Sequence, residues 1–155
     1  MITVERTLDY ELVRSIVTHP KIYPHVADDD APKAEEWRPL ESTVVWHILV
    51  RLDGEPAGVF ILVPQNAVCY ELHTCLLPML WGSATEAGRR MFAWMFEHSP
   101  CRRIMTNVPD YNRLALRAAQ NSGMREFGVN TKSYLKRGIL CDQIMLGISK
   151  EASCR

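Results

Sequence analysis

Seven residues, Ala84, Ala87, Gly88, Met91, Phe92, Met95 and Phe96, fall at i, i+3, i+4, i+7, i+8, i+11 and i+12. On a helix this spacing makes one continuous apolar stripe, with Glu86, Arg89, Arg90, Ala93 and Glu97 opposite. Such a stripe has to be laid on an apolar surface, and the preceding sequence supplies a sheet. Val44 to Leu52 is apolar and β-branched, Asp53-Gly54 is a two-residue hairpin signal, and Gly58 to Val63 returns as the partner strand. Asn66 begins the next turn. Val68 to Leu77 then alternates, with Val68, Tyr70, Leu72, Thr74 and Leu76 on one face and Cys69, Glu71, His73 and Cys75 on the other.

The remaining segments extend this pattern. Ile2 to Leu8 reads as a first strand, and Asp9 is placed to cap a helix carrying Leu12, Val13, Ile16 and Val17. Residues 19 to 43 contain Pro20, Pro24, Pro32 and Pro39, which break the stretch into short helix and loop. Ser99-Pro100 ends the long helix, and Arg102 to Val108 reads as a strand. Asp110 is expected to cap a helix over Tyr111 to Asn121 that stops at Gly123. Two closing strands, Arg125 to Leu135 and Gln143 to Ser149, are expected to flank a loop from Lys136 to Asp142. The order predicts a single α/β domain over 1–155, a mixed sheet with helices packed on it in an α+β sandwich.

Composition narrows the function classes. With 47% hydrophobic and 23% charged residues the 155-residue chain can build a core. No apolar run reaches the ~20 residues of a membrane span, and no secretory leader is read at the N-terminus. Five cysteines, Cys69, Cys75, Cys101, Cys141 and Cys154, are odd in number and form no C-x-x-C. They predict reduced thiols, a cytoplasmic location and no metal. The 18 basic and 18 acidic residues cancel, yet residues 1–80 hold 6 against 12 and residues 81–155 hold 12 against 6. Nucleic acid is therefore not an expected partner. The acidic half, rich around Asp28, Asp29, Asp30, Glu35, Glu36 and Glu41, suits a cationic one.

The chemistry is expected where the third strand of this series meets the long helix, at Pro78-Met79-Leu80-Trp81-Gly82-Ser83-Ala84-Thr85-Glu86. Small residues at a helix start leave backbone N–H groups open to a phosphate. The same residues also spell a capping box, in which Ser83 and Glu86 would satisfy the helix start without a ligand. Trp81 is expected to be buried beside this loop. No Walker A or G-x-G-x-x-G pattern is present.

Glu71-Leu72-His73-Thr74-Cys75-Leu76-Leu77-Pro78 and Trp81-Gly82-Ser83-Ala84-Thr85-Glu86-Ala87, followed by Asn112, Gly123-Met124 and Gly138-x-x-x-Asp142, resemble the GNAT acyl-CoA N-acyltransferase superfamily. More narrowly, they are similar to the branch containing the ribosomal-protein N-terminal acetyltransferases. The resemblance implies acetyl-CoA as donor, with pantetheine along the backbone of Cys75, Leu76 and Leu77. It also implies a phosphate site at Gly82, Ser83, Ala84 and Thr85 beside Trp81, with Asn112 at the cofactor. Two positions depart from the superfamily pattern: Met79 stands at the first place of the Q/R-x-x-G-x-G/A motif, and Ala119 where many members have a tyrosine acid.

Transfer from a thioester to an amine needs a neutral amine, an oxyanion donor and a proton for the departing thiolate. Deprotonating a lysine at pH 7 costs about 4.6 kcal/mol, against about 1.4 kcal/mol for an α-amine. Glu71 and His73, on one strand face, are the candidate bases. Tyr134 and Tyr111 are the candidate acids. The expected acceptor is a small cationic amine or a protein N-terminus, and the expected assembly a monomer or homodimer. The alternatives are a GNAT-fold module that binds acyl-CoA or a protein without catalysis, and a hydrolase using Cys75 and His73.

Overall fold

The computed structural model describes residues 1–153; Cys154 lies outside the described residues. Strands β1 (Ile2–Arg6), β2 (Trp46–Leu52), β3 (Glu55–Pro64), β4 (Cys69–Leu76), β5 (Arg103–Pro109), β6 (Arg125–Lys136) and β7 (Ile139–Ser149) form one sheet. Its order is β1-β2-β3-β4-β5-β7-β6, antiparallel except for the parallel pair β4 and β5. Helices α1 (Tyr10–Val17), α2 (Tyr23–Val26), α3 (Ala84–His98) and α4 (Arg113–Asn121) follow the order read from the sequence, and a short α5 (Lys150–Ser153), not expected from it, ends the described residues.

The central strands are apolar on both faces because both faces are covered. Ile48, Val50, Phe60, Leu62 and Leu72 join Met91, Phe92 and Met95 of α3 in the larger core. Leu49, Val59 and Cys75 join Val13, Ile16 and Val17 of α1 in the smaller one. The buried residues of α3 are Ala87, Gly88, Met91, Phe92, Met95 and Phe96, six of the seven in the sequence stripe. Asp53 (φ 50°) and Gly54 (φ 88°) make the expected primed hairpin turn between β2 and β3.

Three local expectations are corrected. Helix α4 is capped by Asn112, whose side chain accepts the Ala115 N–H at 3.2 Å; the Asp110 N–H is tied to the Asp142 carbonyl. The capping box at α3 does not form: Ser83 makes no side-chain cap, and the Glu86 carboxylate binds Arg90 at 2.9 Å instead. The segment from Lys136 to Asp142 is hairpin rather than loop, with Lys136 paired to Ile139 across Arg137 (φ 52°) and Gly138 (φ 74°).

That last turn is held from outside the hairpin. Asp29 accepts the Arg137 N–H at 2.8 Å and the Gly138 N–H at 2.7 Å, and these bonds hold its carboxyl below the usual range. The Asp29 N–H binds the Leu135 carbonyl, and the Lys136 ammonium reaches the carbonyls of Pro24 and Ala27. One of the acidic residues thus fastens the Pro-rich segment to the β6–β7 hairpin, 108 residues away.

Two outcomes are expected. Gly58→Ala puts a Cβ 2.7 Å from Leu76 Cδ2 and 3.0 Å from the Cys75 carbonyl oxygen, so denaturant unfolding should show a loss of about 1–3 kcal/mol. Asp29→Ala should speed hydrogen exchange at Arg137 and Gly138 at neutral pH. Because the Asp29 pKa is lowered in the fold, wild type should lose the same protection only as pH falls through that lowered value.

Candidate active site

Strands β4 and β5 pair at only three positions, Cys69 with Arg103, Tyr70 with Ile104 and Glu71 with Met105. Beyond them β4 stays with β3 as far as Leu76, while β5 follows β7 to Pro109. The two strands separate, and the Thr106 hydroxyl bridges to the Leu72 carbonyl at 3.0 Å where the ladder stops.

Backbone direction along β4 decides what faces this gap. The Leu77 N–H donates to the Ala57 carbonyl at 2.9 Å. By the alternation of an antiparallel ladder, the backbone groups of Glu71, His73 and Cys75 also turn to β3, and those of Leu72, Thr74 and Leu76 turn to the gap. The Leu76 carbonyl is met by the Trp81 indole N–H at 2.9 Å. Of the three residues expected along a pantetheine, Leu76 therefore faces the gap, whereas Cys75 and Leu77 are committed to β3. Thr74 joins Leu76 there, a position the sequence reading missed.

Residues from both faces of the sheet meet at the gap. Glu71, His73, Tyr134 and Asn112 line one cavity of about 370 Å³. Glu71 is held by Gln65 Nε2 at 2.9 Å and lies 3.5 Å from His73 Nε2. No arginine forms an ion pair or hydrogen bond with it among the described residues. Tyr134 is pushed up to about 12, first by burial and then by Tyr111, Asp28 and Asp29. Its phenol therefore keeps its proton at neutral pH. A widened bulge between Asn130 and Tyr134, opposite Asp142, sets the Tyr134 position; Asp142 Oδ1 accepts the Lys132 N–H at 2.8 Å. Ala119 lines the same cavity as Tyr134. Asn107 lines it too, and its buried Oδ1 has no hydrogen-bond partner.

A second cavity of about 640 Å³ adjoins the first and shares Thr74, Leu76, Ala84 and Asn112 with it. Trp81, Gly82 and Thr85 line this groove, where the α3 helix start has no side-chain cap. A Cβ on Gly82 would meet nothing within 4 Å. Ser83 precedes the helix but is not on the groove wall. Trp81 is 54% exposed rather than buried, because its indole N–H is used on strand β4 and its ring stays at the groove. The open helix start, the Gly82 clearance and the groove leading to the gap fit a phosphate-bearing carrier with a narrow arm.

The two cavities differ in charge. Among the described residues the first contains the carboxylates Asp28 and Glu71 and no lysine or arginine, and the second contains Lys21 and Arg117 and no carboxylate. Lys21, His25 and Asp28 come from the Pro-rich segment, whose position no local sequence pattern signals.

Cys75 is 2% exposed and its thiol is pushed up to about 12 by burial. It faces the α1 core, while His73 is exposed. This removes the cysteine-nucleophile reading, because the thiolate is the nucleophile. Alkylation of the native protein, mapped by mass spectrometry, should spare Cys75 and Cys101 and modify Cys69 and Cys141, all four becoming reactive on unfolding.

The family profile of the acetyltransferase (GNAT) domain matches residues 4–125. The chain belongs to the GNAT acetyltransferases. Among solved structures, it is similar to a spermidine N-acetyltransferase from Vibrio cholerae in complex with CoA and spermine, at 15% identity and a TM-score of 0.81, covering 99% of this chain and 98% of that one. A ribosomal-protein-S5-alanine acetyltransferase from Vibrio fischeri is similar at 13% identity and a TM-score of 0.75, covering 97% and 93%. A GNAT-family acetyltransferase from Streptococcus pneumoniae follows the same fold at 15% identity and a TM-score of 0.71, covering 96% and 99%. No curated protein matches the sequence. Acetyl-CoA is the acyl donor of the family. No helix among the described residues is long and apolar enough to cross a membrane.

Proposed function

We propose that the chain is an acetyl-CoA-dependent N-acetyltransferase that moves an acetyl group directly to a primary amine on a cationic acceptor. The observation that carries this reading is the polarised cleft: an anion-suited groove opens into a carboxylate-bearing cavity through the gap between β4 and β5. Acetyl-CoA supplies the activated acetyl thioester. The N–H groups at the uncapped start of α3, at Gly82 to Thr85, hold its diphosphate, and the groups of Thr74 and Leu76 that face the gap hold its arm. Glu71, with His73 3.5 Å away, takes the proton of the incoming ammonium. Tyr134 stands in the cavity where Ala119 leaves space and gives its proton to the departing thiolate. Asp28 offers a second carboxylate for a charge carried elsewhere on the acceptor.

A small polyamine-like amine and a protein N-terminus both satisfy this chemistry. The V. cholerae relative supports the first and the V. fischeri relative the second. The free thiols of Cys69, Cys75, Cys101 and Cys141 fit a cytoplasmic setting.

The test is release of free coenzyme A from acetyl-CoA with a panel of polyamines, N-terminal peptides and neutral amines. Cationic acceptors should outpace neutral ones. Tyr134→Phe should lower kcat by roughly 10²-fold with little change in KM. Glu71→Gln should lower the rate most near pH 7 and least at high pH, where more of the amine is already neutral. Stabilisation of the protein by acetyl-CoA with no product on any amine would instead make the chain a binding module. Absence of any coenzyme A binding would remove both readings.

A further inference from the structure

Resting on the donor reading above, we infer that Lys21 and Arg117 form a two-sided clamp for the 3′-phosphate of the carrier's nucleotide. They stand on different elements: Lys21 is in the Pro-rich segment just before α2, and Arg117 is on α4. Both line the 640 Å³ groove, both side chains are exposed, and neither makes an ion pair or side-chain hydrogen bond among the described residues. Among the described residues no carboxylate lines the groove to neutralise them.

Charge matching assigns the phosphate. The carrier has two anionic groups, a diphosphate and a 3′-phosphomonoester whose charge approaches −2 at neutral pH. The uncapped α3 start and the Gly82 clearance account for the diphosphate without a side-chain charge. Met79, half-exposed beside that helix start, adds none. Two cations from different elements lining the groove, without side-chain partners among the described residues, then match the two charges of the monoester. Because Lys21 belongs to the segment that Asp29 fastens to the β6–β7 hairpin, the clamp would also tie the groove wall to the segment that carries Asp28.

The experiment compares coenzyme A with 3′-dephospho-coenzyme A by titration calorimetry on wild type, Lys21→Met, Arg117→Met and the double variant, at 50 and 200 mM salt. Thermal unfolding checks that these exposed, unpartnered side chains leave the fold intact. Wild type should prefer coenzyme A by about tenfold or more, each single variant should lose part of that preference, and the double variant should abolish it. Affinity for the dephospho form should be unchanged throughout, and the preference should shrink at the higher salt. Equal weakening of both ligands would place the cations at the diphosphate and overturn the assignment. Unchanged affinity of every variant for coenzyme A would overturn the clamp while leaving the donor reading intact. Failure of wild type to bind either compound would overturn both.

Discussion

The site depends on one break in hydrogen bonding, the parting of β4 from β5 after Glu71 and Met105. Each strand keeps its other neighbour, β3 for β4 and β7 for β5, and the three pairs from Cys69 to Glu71 keep the two halves of the sheet joined. The break leaves main-chain groups without a strand partner, which is costly unless something else satisfies them. At its two ends it is closed by side chains, the Thr106 hydroxyl on the Leu72 carbonyl and the Trp81 indole on the Leu76 carbonyl. Between these, the groups of Thr74 and Leu76 face a cleft that admits solvent or a ligand's amides. The same parting lets Glu71 and His73 from one face share a cavity with Ala84 and Phe92 from the other. A continuous ladder would have kept them apart.

What the sequence made legible was local and periodic. The α3 stripe, the Asp53-Gly54 turn and the Asp9 cap are each written within a few residues, and each stands as read. The errors share a different origin. Arg137-Gly138 does not look like a primed turn, since its arginine needs a positive φ, and it is stabilised by Asp29, far away in the chain. Asp110 and Asn112 are both plausible caps by type, and the choice falls on Asn112 because the Asp110 N–H is held by β7. Ser83 and Glu86 have the spacing of a capping box, but Arg90, one turn on, takes the carboxylate.

The candidate site was half legible for the same reason. Glu71 and His73 are two apart on a strand, so their shared face follows from periodicity, and the structure brings them to 3.5 Å. The sequence groups Cys75, Leu76 and Leu77 together along the expected carrier, and only the β3 ladder separates Leu76, which faces the gap, from the other two, because the parity of a ladder cannot be known before its partner is. His25, Asp28 and Lys21 carry no motif. They reach the cavities because Ile22 is buried in the smaller core and Asp29 and Lys136 tie the Pro-broken segment to the last hairpin.

Under the proposed function, the carboxylates in the cavity work against each other's purpose unless they are divided. A carboxylate about 4 Å from an ammonium stabilises it by about 4 kcal/mol at an effective dielectric constant of 20, which raises the amine's pKa just where it has to lose a proton. Glu71 escapes this conflict only by accepting that proton, and with His73 beside it the proton can move on. Asp28 cannot serve both as counter-ion to the reacting nitrogen and as an aid to its deprotonation. Its contribution is favourable only towards a charge separated from that nitrogen. The cleft thus favours an acceptor with two distinct ends, one to be neutralised at Glu71 and one to stay charged near Asp28, and a compact amine with a single charge gains least from it.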